Sequence, residues 1–166
     1  MVATATIDLQ VGAAIEDGYH RSFSHYWNKN DVGVIGSISS PDNRGWSTYQ
    51  RFLSVTIAQA ATINIAYLTF TAYSTLSGAT CQGILQAEDV DSATQVTSHA
   101  VYDGLVFTTA TVTWNPIPAM TSAVEYNTPS IVTVVQEVID RAGWVSGNAL
   151  LVELQDKANS SSIGAY

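Results

Sequence analysis

The chain has 166 residues, a formal net charge of −8 at neutral pH and 12% charged residues, against roughly 25% in an average soluble domain. This length suits one hydrophobic core, so we expect residues 1–166 to form a single domain. Six basic against fourteen acidic residues disfavour nucleic-acid binding, and the low charge together with many aromatic and β-branched residues disfavours a disordered chain. No apolar run reaches the length of about 18 residues that a membrane span needs, so no membrane insertion is expected.

The first residues of the chain and its cysteine content bear on two further features, a secretory signal peptide and bonds made by cysteine. The first residues lack a basic segment and include Asp8, so we expect no secretory signal peptide. Cys81 is the single cysteine, which excludes an intramolecular disulfide and a cysteine-based zinc site and predicts a small buried side chain. Neither glycine-rich nucleotide motif occurs, and we expect no cofactor.

Short runs rich in β-branched and aromatic residues, bounded by Gly, Asn, Asp or Pro, predict β-strands along the chain. The shorter runs in the first half are residues 4–11, 32–38, 47–56 and 79–87.

The longest run, residues 62–73, alternates with a period of two. Its even positions from Ala66 to Ala72 are apolar and fall on one face, while Tyr67, Thr69, Thr71 and Tyr73 fall on the other. This period predicts a strand rather than a helix. Ile63 and Ile65 are in the opposite phase, which predicts a bulge or turn near residues 64–66.

One segment near residues 129–141 carries a helical pattern. Its five aliphatic residues recur at helical spacing on one stripe and are Ile131, Val134, Val135, Val138 and Ile139. Thr128 is the expected N-cap, Pro129 the first helical residue and Gly143 the left-handed residue after the helix. Residues 149–154 and 162–166 are predicted as the final strands.

About nine to eleven short strands with one short helix predict an all-β fold. We therefore expect an antiparallel jelly roll or β-sandwich.

The chain from about residue 49 onward also carries a series of motifs in a fixed order. Arg51-Phe52 ends a strand, Val112-Thr113-Trp114-Asn115 follows, and Val135-Gln136-Glu137 lies in the predicted helix. In this order and spacing, residues from about 49 to 166 resemble the DNRLRE-type β-sandwich domain, a relative of carbohydrate-binding modules. The resemblance implies a jelly-roll fold and a non-catalytic role. Similar domains occur in secreted polysaccharide-active enzymes, in surface proteins and in structural proteins of bacteriophages.

The chain shows no recognisable catalytic motif. It has three histidines, His20, His25 and His99, but neither the Gly-x-Ser-x-Gly elbow of hydrolases nor a His-Glu-x-x-His zinc helix. His20 and His25 are five residues apart, which does not put them on one face of a strand, and we interpret them as surface or loop histidines. We therefore expect no enzyme and assign no catalytic residue.

The acidic cluster Glu88-Asp89-Val90-Asp91 has two interpretations, a calcium site or a solvated loop. Several carboxylates close together can bind calcium, but the spacing of an EF-hand loop is absent. A solvated loop after a strand is the favoured interpretation, so no metal site is assigned.

Three aromatic residues are the candidate site for a glycan or a partner protein. Tyr19 and Trp27 lie in an unusually aromatic stretch, and Trp46 follows the loop of residues 39–45. Flat rings stack on sugars and are enriched in interfaces. The alternative, which we favour, is that these rings close one end of the sandwich beneath a loop.

The low charge and the resemblance together favour an assembly protein. Interfaces between subunits are depleted in Lys, Glu and Asp. We therefore predict a non-enzymatic structural protein of a virus particle, a phage capsid decoration or tail-surface protein. It would be made in the host cytoplasm, form a homo-oligomer, contact other virion proteins and lie at the virion surface. The alternative is an extracellular carbohydrate-binding module or adhesin that binds a host surface glycan.

Overall fold

A computed structural model describes residues 5–21, 26–29, 33–37, 45–75, 81–156 and 163–165. These residues form ten strands and two helices. The elements are β1 (Asp17–Arg21), β2 (Tyr26–Asn28), β3 (Val34–Ser37), β4 (Gly45–Phe52), β5 (Thr69–Thr71), β6 (Cys81–Ala87), α1 (His99–Asp103), β7 (Val112–Ile117), β8 (Glu125–Asn127), α2 (Val132–Ile139), β9 (Leu150–Asp156) and β10 (Ile163–Ala165).

The strands form two antiparallel sheets. The large sheet has the order β10-β3-β4-β9-β6-β7, with β1 paired to β4 and β2 paired to β1. The small sheet contains β5 and β8. The structure thus confirms a mostly β, antiparallel fold.

Strand β9 is the middle of the large sheet and is buried on both of its faces. It pairs with β4 on one edge and with β6 on the other. Leu150, Val152 and Leu154 point into an apolar core that α2, Leu68 and Phe70 cover, and we call this side the first face. Leu151 points the opposite way, toward α1 and the chain around residues 90–107, and we call this side the second face.

Helix α2 forms where the aliphatic stripe predicts it. Val134, Val135, Val138 and Ile139 are all buried against the first face. The predicted ends were wrong, because Ile131 is the N-cap and the helix gives way at Asp140, which keeps a right-handed conformation.

The residues expected to end this helix have other roles. The Thr128 hydroxyl accepts a hydrogen bond from the Leu68 backbone amide at 3.0 Å, so Thr128 fastens the chain before β5. Gly143 has no positive φ. A Cβ atom there would collide with the Asp91 carboxylate, so a larger residue would force that side chain to move; the glycine allows a close approach rather than a left-handed turn.

The prediction of a single helix was also wrong. Helix α1 has only five residues, and Tyr102 is the one that it buries. The Ser98 side chain caps it by accepting a hydrogen bond from the Val101 backbone amide at 3.3 Å. A helix this short contains too little of the apolar period to be recognised in the sequence.

The predicted strands agree with the structure to different extents. Residues 5–11 form no strand, and only Thr69–Thr71 of the run 62–73 pairs in a sheet. Residues 64–66 lie outside any strand, so the predicted bulge does not form there. The alternation nevertheless holds, because Leu68 and Ala72 are buried while Tyr67 and Tyr73 are exposed. Cys81 is buried, as predicted. Predicted strand residues 4, 32, 38, 79, 80, 162 and 166 lie outside the described residues.

Because both faces of β9 are covered, leucines on either side of it should be equally costly to truncate. We expect Leu151→Ala on the second face and Leu154→Ala on the first each to lower the free energy of unfolding by about 2–5 kcal/mol. Both leucines are almost fully buried. Urea denaturation measures the effect, and Leu53→Ala is the matched control because Leu53 is 43% exposed. A Leu151→Ala protein as stable as the control would show that α1 does not cover the second face.

Candidate functional site

A column of buried polar side chains begins at the middle of the second face and consists of Glu153, Gln86, Tyr102 and His20. Glu153 of β9 is fully buried and accepts hydrogen bonds from the Tyr102 hydroxyl of α1 and from Nε2 of Gln86, the latter at 2.6 Å. Burial raises the pKa of the Glu153 carboxyl to about 7, although both hydrogen bonds favour its ionised form. Burial and the neighbouring carboxylate also raise the pKa of the Tyr102 hydroxyl. The short helix is thus anchored to the sheet through a polar contact.

The column continues outward to His20 of β1. The His20 ring stacks on Tyr102 with centroids 4.0 Å apart and an angle of 19° between the planes. Alternation along β1 turns His20 inward, and it is only 4% exposed. The interpretation of His20 as a surface or loop histidine was therefore wrong. His25 lies outside the described residues.

Helix α1 brings two more polar groups to His20. His99 and Asp103 are four residues apart and therefore share one face of the helix. Nε2 of His99 lies 2.9 Å from Nε2 of His20, and Nδ1 of His99 lies 2.9 Å from Oδ2 of Asp103. Oδ1 of Asp103 lies 3.7 Å from Nε2 of His20. Two imidazoles and a carboxylate thus meet at the edge of the second face.

Sequence reasoning missed this cluster. His20 and His99 are 79 residues apart, and nothing local in the sequence connects them. The only local signal is the His99-x-x-x-Asp103 spacing, which has meaning only once the segment is known to be helical.

The structure separates the three predicted aromatic residues. Tyr19 and Trp46 lie together, with ring centroids 5.3 Å apart and an edge-to-face angle of 65°. Arg21 lies on the Trp46 ring, 5.3 Å from its centroid. Trp27 pairs with His20 across β1 and β2, so it lies on the second face. There its indole N–H donates to the Tyr49 hydroxyl at 2.8 Å, and the ring packs on the second core.

The acidic cluster 88–91 is not the solvated loop that we expected. Glu88 is buried, and burial raises its pKa. The Arg141 guanidinium binds Asp89 through Nη1 and Asp91 through Nε, the latter at 2.8 Å. Arg141 therefore supplies the positive charge between these two carboxylates and ties the segment to the turn after α2.

Comparisons with known proteins give no relative for this chain. It matches no protein-family model, no curated protein and no solved structure. The resemblance to the DNRLRE-type domain therefore stays a prediction from the sequence. Among the residues described, neither helix is long and apolar enough to cross a membrane.

The raised pKa of Glu153 predicts a pH dependence of stability. A carboxyl with a pKa of 4.5 when unfolded and about 7 when folded favours the folded state at low pH. That contribution is complete below about pH 4.5 and is lost as the pH rises through 7. We expect Glu153→Gln to remove a loss of about 3 kcal/mol between pH 4 and pH 8.

The measurement is the free energy of unfolding of both proteins across this pH range. Glu125→Gln is the matched control because Glu125 is exposed on β8. Parallel stability curves for the wild type and Glu153→Gln would contradict the prediction.

Proposed function

We propose that the protein is a non-enzymatic structural protein of a virus particle, a phage capsid decoration or tail-surface protein. It acts through contacts with copies of itself and with other virion proteins at the particle surface. Its two sheets are proposed to form a jelly-roll type of β-sandwich, as in the DNRLRE-type domains that the sequence resembles. The observation that carries the proposal is an exposed face on the small sheet, rich in aromatic and uncharged side chains, to which Glu125 contributes one charged group.

This contact face consists of the odd-numbered residues from 65 to 73. Ile65 is 78% exposed, Tyr67 52% and Tyr73 70%, and Thr69 and Thr71 of β5 are exposed between them. Residues 62–73 contain no charged side chain. Strand β8 adds Glu125 and Asn127, which pair with Thr71 and Thr69.

Such a face is costly to leave in water and is typical of a surface that another protein covers. Burial of apolar surface contributes about 25 cal/mol for each Å² removed from water, and two tyrosines and an isoleucine supply most of that surface here. Interface cores are enriched in aromatic residues and depleted in charged ones, which describes this face. The apolar side of the same segment packs Leu68 and Phe70 into the first core, so the chain holds the outer rings in place.

The proposal predicts self-association that depends on the contact face. We expect the purified chain to form a discrete, closed oligomer of its 17.7 kDa subunit, as measured by light scattering after size exclusion. Tyr67→Lys together with Tyr73→Lys should give the mass of a monomer without loss of stability, because both side chains are exposed.

Val106→Lys is the matched control for this double variant. Val106 is 63% exposed but lies beside Phe107, which packs on the second core, away from the contact face. The control should keep the mass of the wild type. A wild-type monomer that also fails to bind purified particles lacking it, or a double variant that keeps the oligomer, would contradict the proposal.

A second candidate function is glycan binding by Tyr19 and Trp46. Their adjacent rings favour it, together with polar groups beside them: Asn28 Nδ2 donates to the Tyr19 hydroxyl at 3.2 Å, and Arg21 lies on the Trp46 ring. Since Arg21 covers one side of that ring, we rank this function below assembly.

If glycan binding is the function, Trp46→Ala should abolish retention on insoluble cellulose or chitin, because stacking on the ring is lost. A pull-down assay of the folded proteins measures this. The Tyr67→Lys and Tyr73→Lys protein is the control and should bind as the wild type does. Equal retention of Trp46→Ala would contradict a glycan site at this position.

A further inference from the structure

We propose that His20, His99 and Asp103 form a binding site for a divalent transition-metal ion, with Zn²⁺ as the expected occupant. The proposal rests on the convergence of their donor atoms and does not depend on the contact face of the small sheet. Its ligands come from β1 and α1, so a bound ion would fasten the short helix to the sheet.

The separation of the two imidazoles suits a shared metal ion. Their Nε2 atoms lie 2.9 Å apart. Two nitrogen ligands of a tetrahedral Zn²⁺, each at about 2.0–2.1 Å, are about 3.3 Å apart. The separation of the two nitrogens is therefore within about half an ångström of the one that a zinc site needs, and a small tilt of the rings would turn both lone pairs toward a shared ion. Without an ion, one of the two nitrogens donates a hydrogen bond to the other.

Asp103 is placed to orient one of these imidazoles. Its Oδ2 lies 2.9 Å from Nδ1 of His99, which favours the tautomer with the proton on Nδ1 and the lone pair on Nε2. A carboxylate in this position is the usual partner of a metal-binding histidine. The other oxygen, Oδ1, lies 3.7 Å from Nε2 of His20. The Asp103 side chain is 49% exposed, so when an ion binds it can leave Nδ1 of His99 and turn a carboxylate oxygen toward the ion as a third ligand.

The inner side of the site is held in place by packing, and its outer side is open to solvent. His20 is held by its stacking on Tyr102, which is itself held by Glu153. Asp103 lies toward solvent, so an ion and a bound water can reach the site from that side. Metal sites with three protein ligands keep such an open position.

The ligand set selects the kind of ion. Imidazole nitrogens suit Zn²⁺, Cu²⁺, Ni²⁺ and Co²⁺, whereas Ca²⁺ and Mg²⁺ prefer sites made of oxygen atoms. Two neutral imidazoles and one carboxylate leave a bound divalent cation with one positive charge. The net charge of −8 on the chain makes that charge favourable.

The test is titration of the full chain with ZnCl₂, followed by calorimetry, and with CoCl₂, followed by the visible absorption of bound cobalt. We expect one ion per chain and a rise in the thermal midpoint with Zn²⁺ but not with MgCl₂. His99→Ala should weaken Zn²⁺ binding by about 100-fold and Asp103→Asn by about 10- to 100-fold, with loss of the cobalt absorption band.

Glu125→Gln is the matched control, because Glu125 is an exposed carboxylate on β8 of the small sheet, and it should bind both ions as the wild type does. Asp103→Asn guards against loss of folding, because Asp103 is half exposed and a change there leaves the buried column in place. The proposal is overturned if the wild type binds no Zn²⁺, if folded Asp103→Asn binds as tightly as the wild type, or if Glu125→Gln abolishes binding.

Discussion

The hydrogen bond from Tyr102 to Glu153 is the contact on which the second face of the protein depends. It joins the only buried residue of α1 to the strand at the middle of the large sheet. Burying a carboxylate is costly, and here two donors, Tyr102 and Gln86, offset that cost. Because Tyr102 is fixed, His20 has a ring to stack on, and His99 and Asp103 are carried to it by the same helix.

The two faces of the sheet are built by different physical means. The first face is covered by α2 and the small sheet through aliphatic and aromatic packing, with Trp114 and Phe70 stacked at 6.5 Å. The second face combines the apolar residues Tyr49 and Leu151 with the polar column. The proposed contact face and the proposed metal site therefore lie on opposite sides of the large sheet, and a change in one leaves the packing around the other intact.

Local periodicity accounts for what could be predicted from the sequence. The stripe of α2 needs only nine consecutive residues from Ile131 to Ile139, and the alternation from Ala66 to Tyr73 needs eight. Both patterns are confirmed by burial. The predicted ends of α2 were wrong, because Thr128 contacts Leu68 and Gly143 lies against Asp91, and neither contact can be seen in a linear sequence.

The candidate site could not be predicted, because it depends on long-range pairing. The register of β1 decides that His20 and Trp27 lie on one face and Tyr19 and Trp46 on the other. That register is set by β4, whose sequence lies about 30 residues further along the chain. His99 joins His20 only after α1 docks on β9, from a segment that carries no strong helical pattern.

The position of β9 in the chain has a consequence for how the protein folds. The strands on both of its edges, β4 and β6, precede it by about a hundred and about seventy residues, and it joins them into one sheet. A chain growing from its N-terminus can form β1, β2 and β4 on one side and β6 and β7 on the other, but these pieces stay separate sheets with exposed edges. Contacts so distant in sequence slow folding, because a long loop must close before any pairing is gained. The native sheet and the polar column are therefore completed only after β9 has been synthesised.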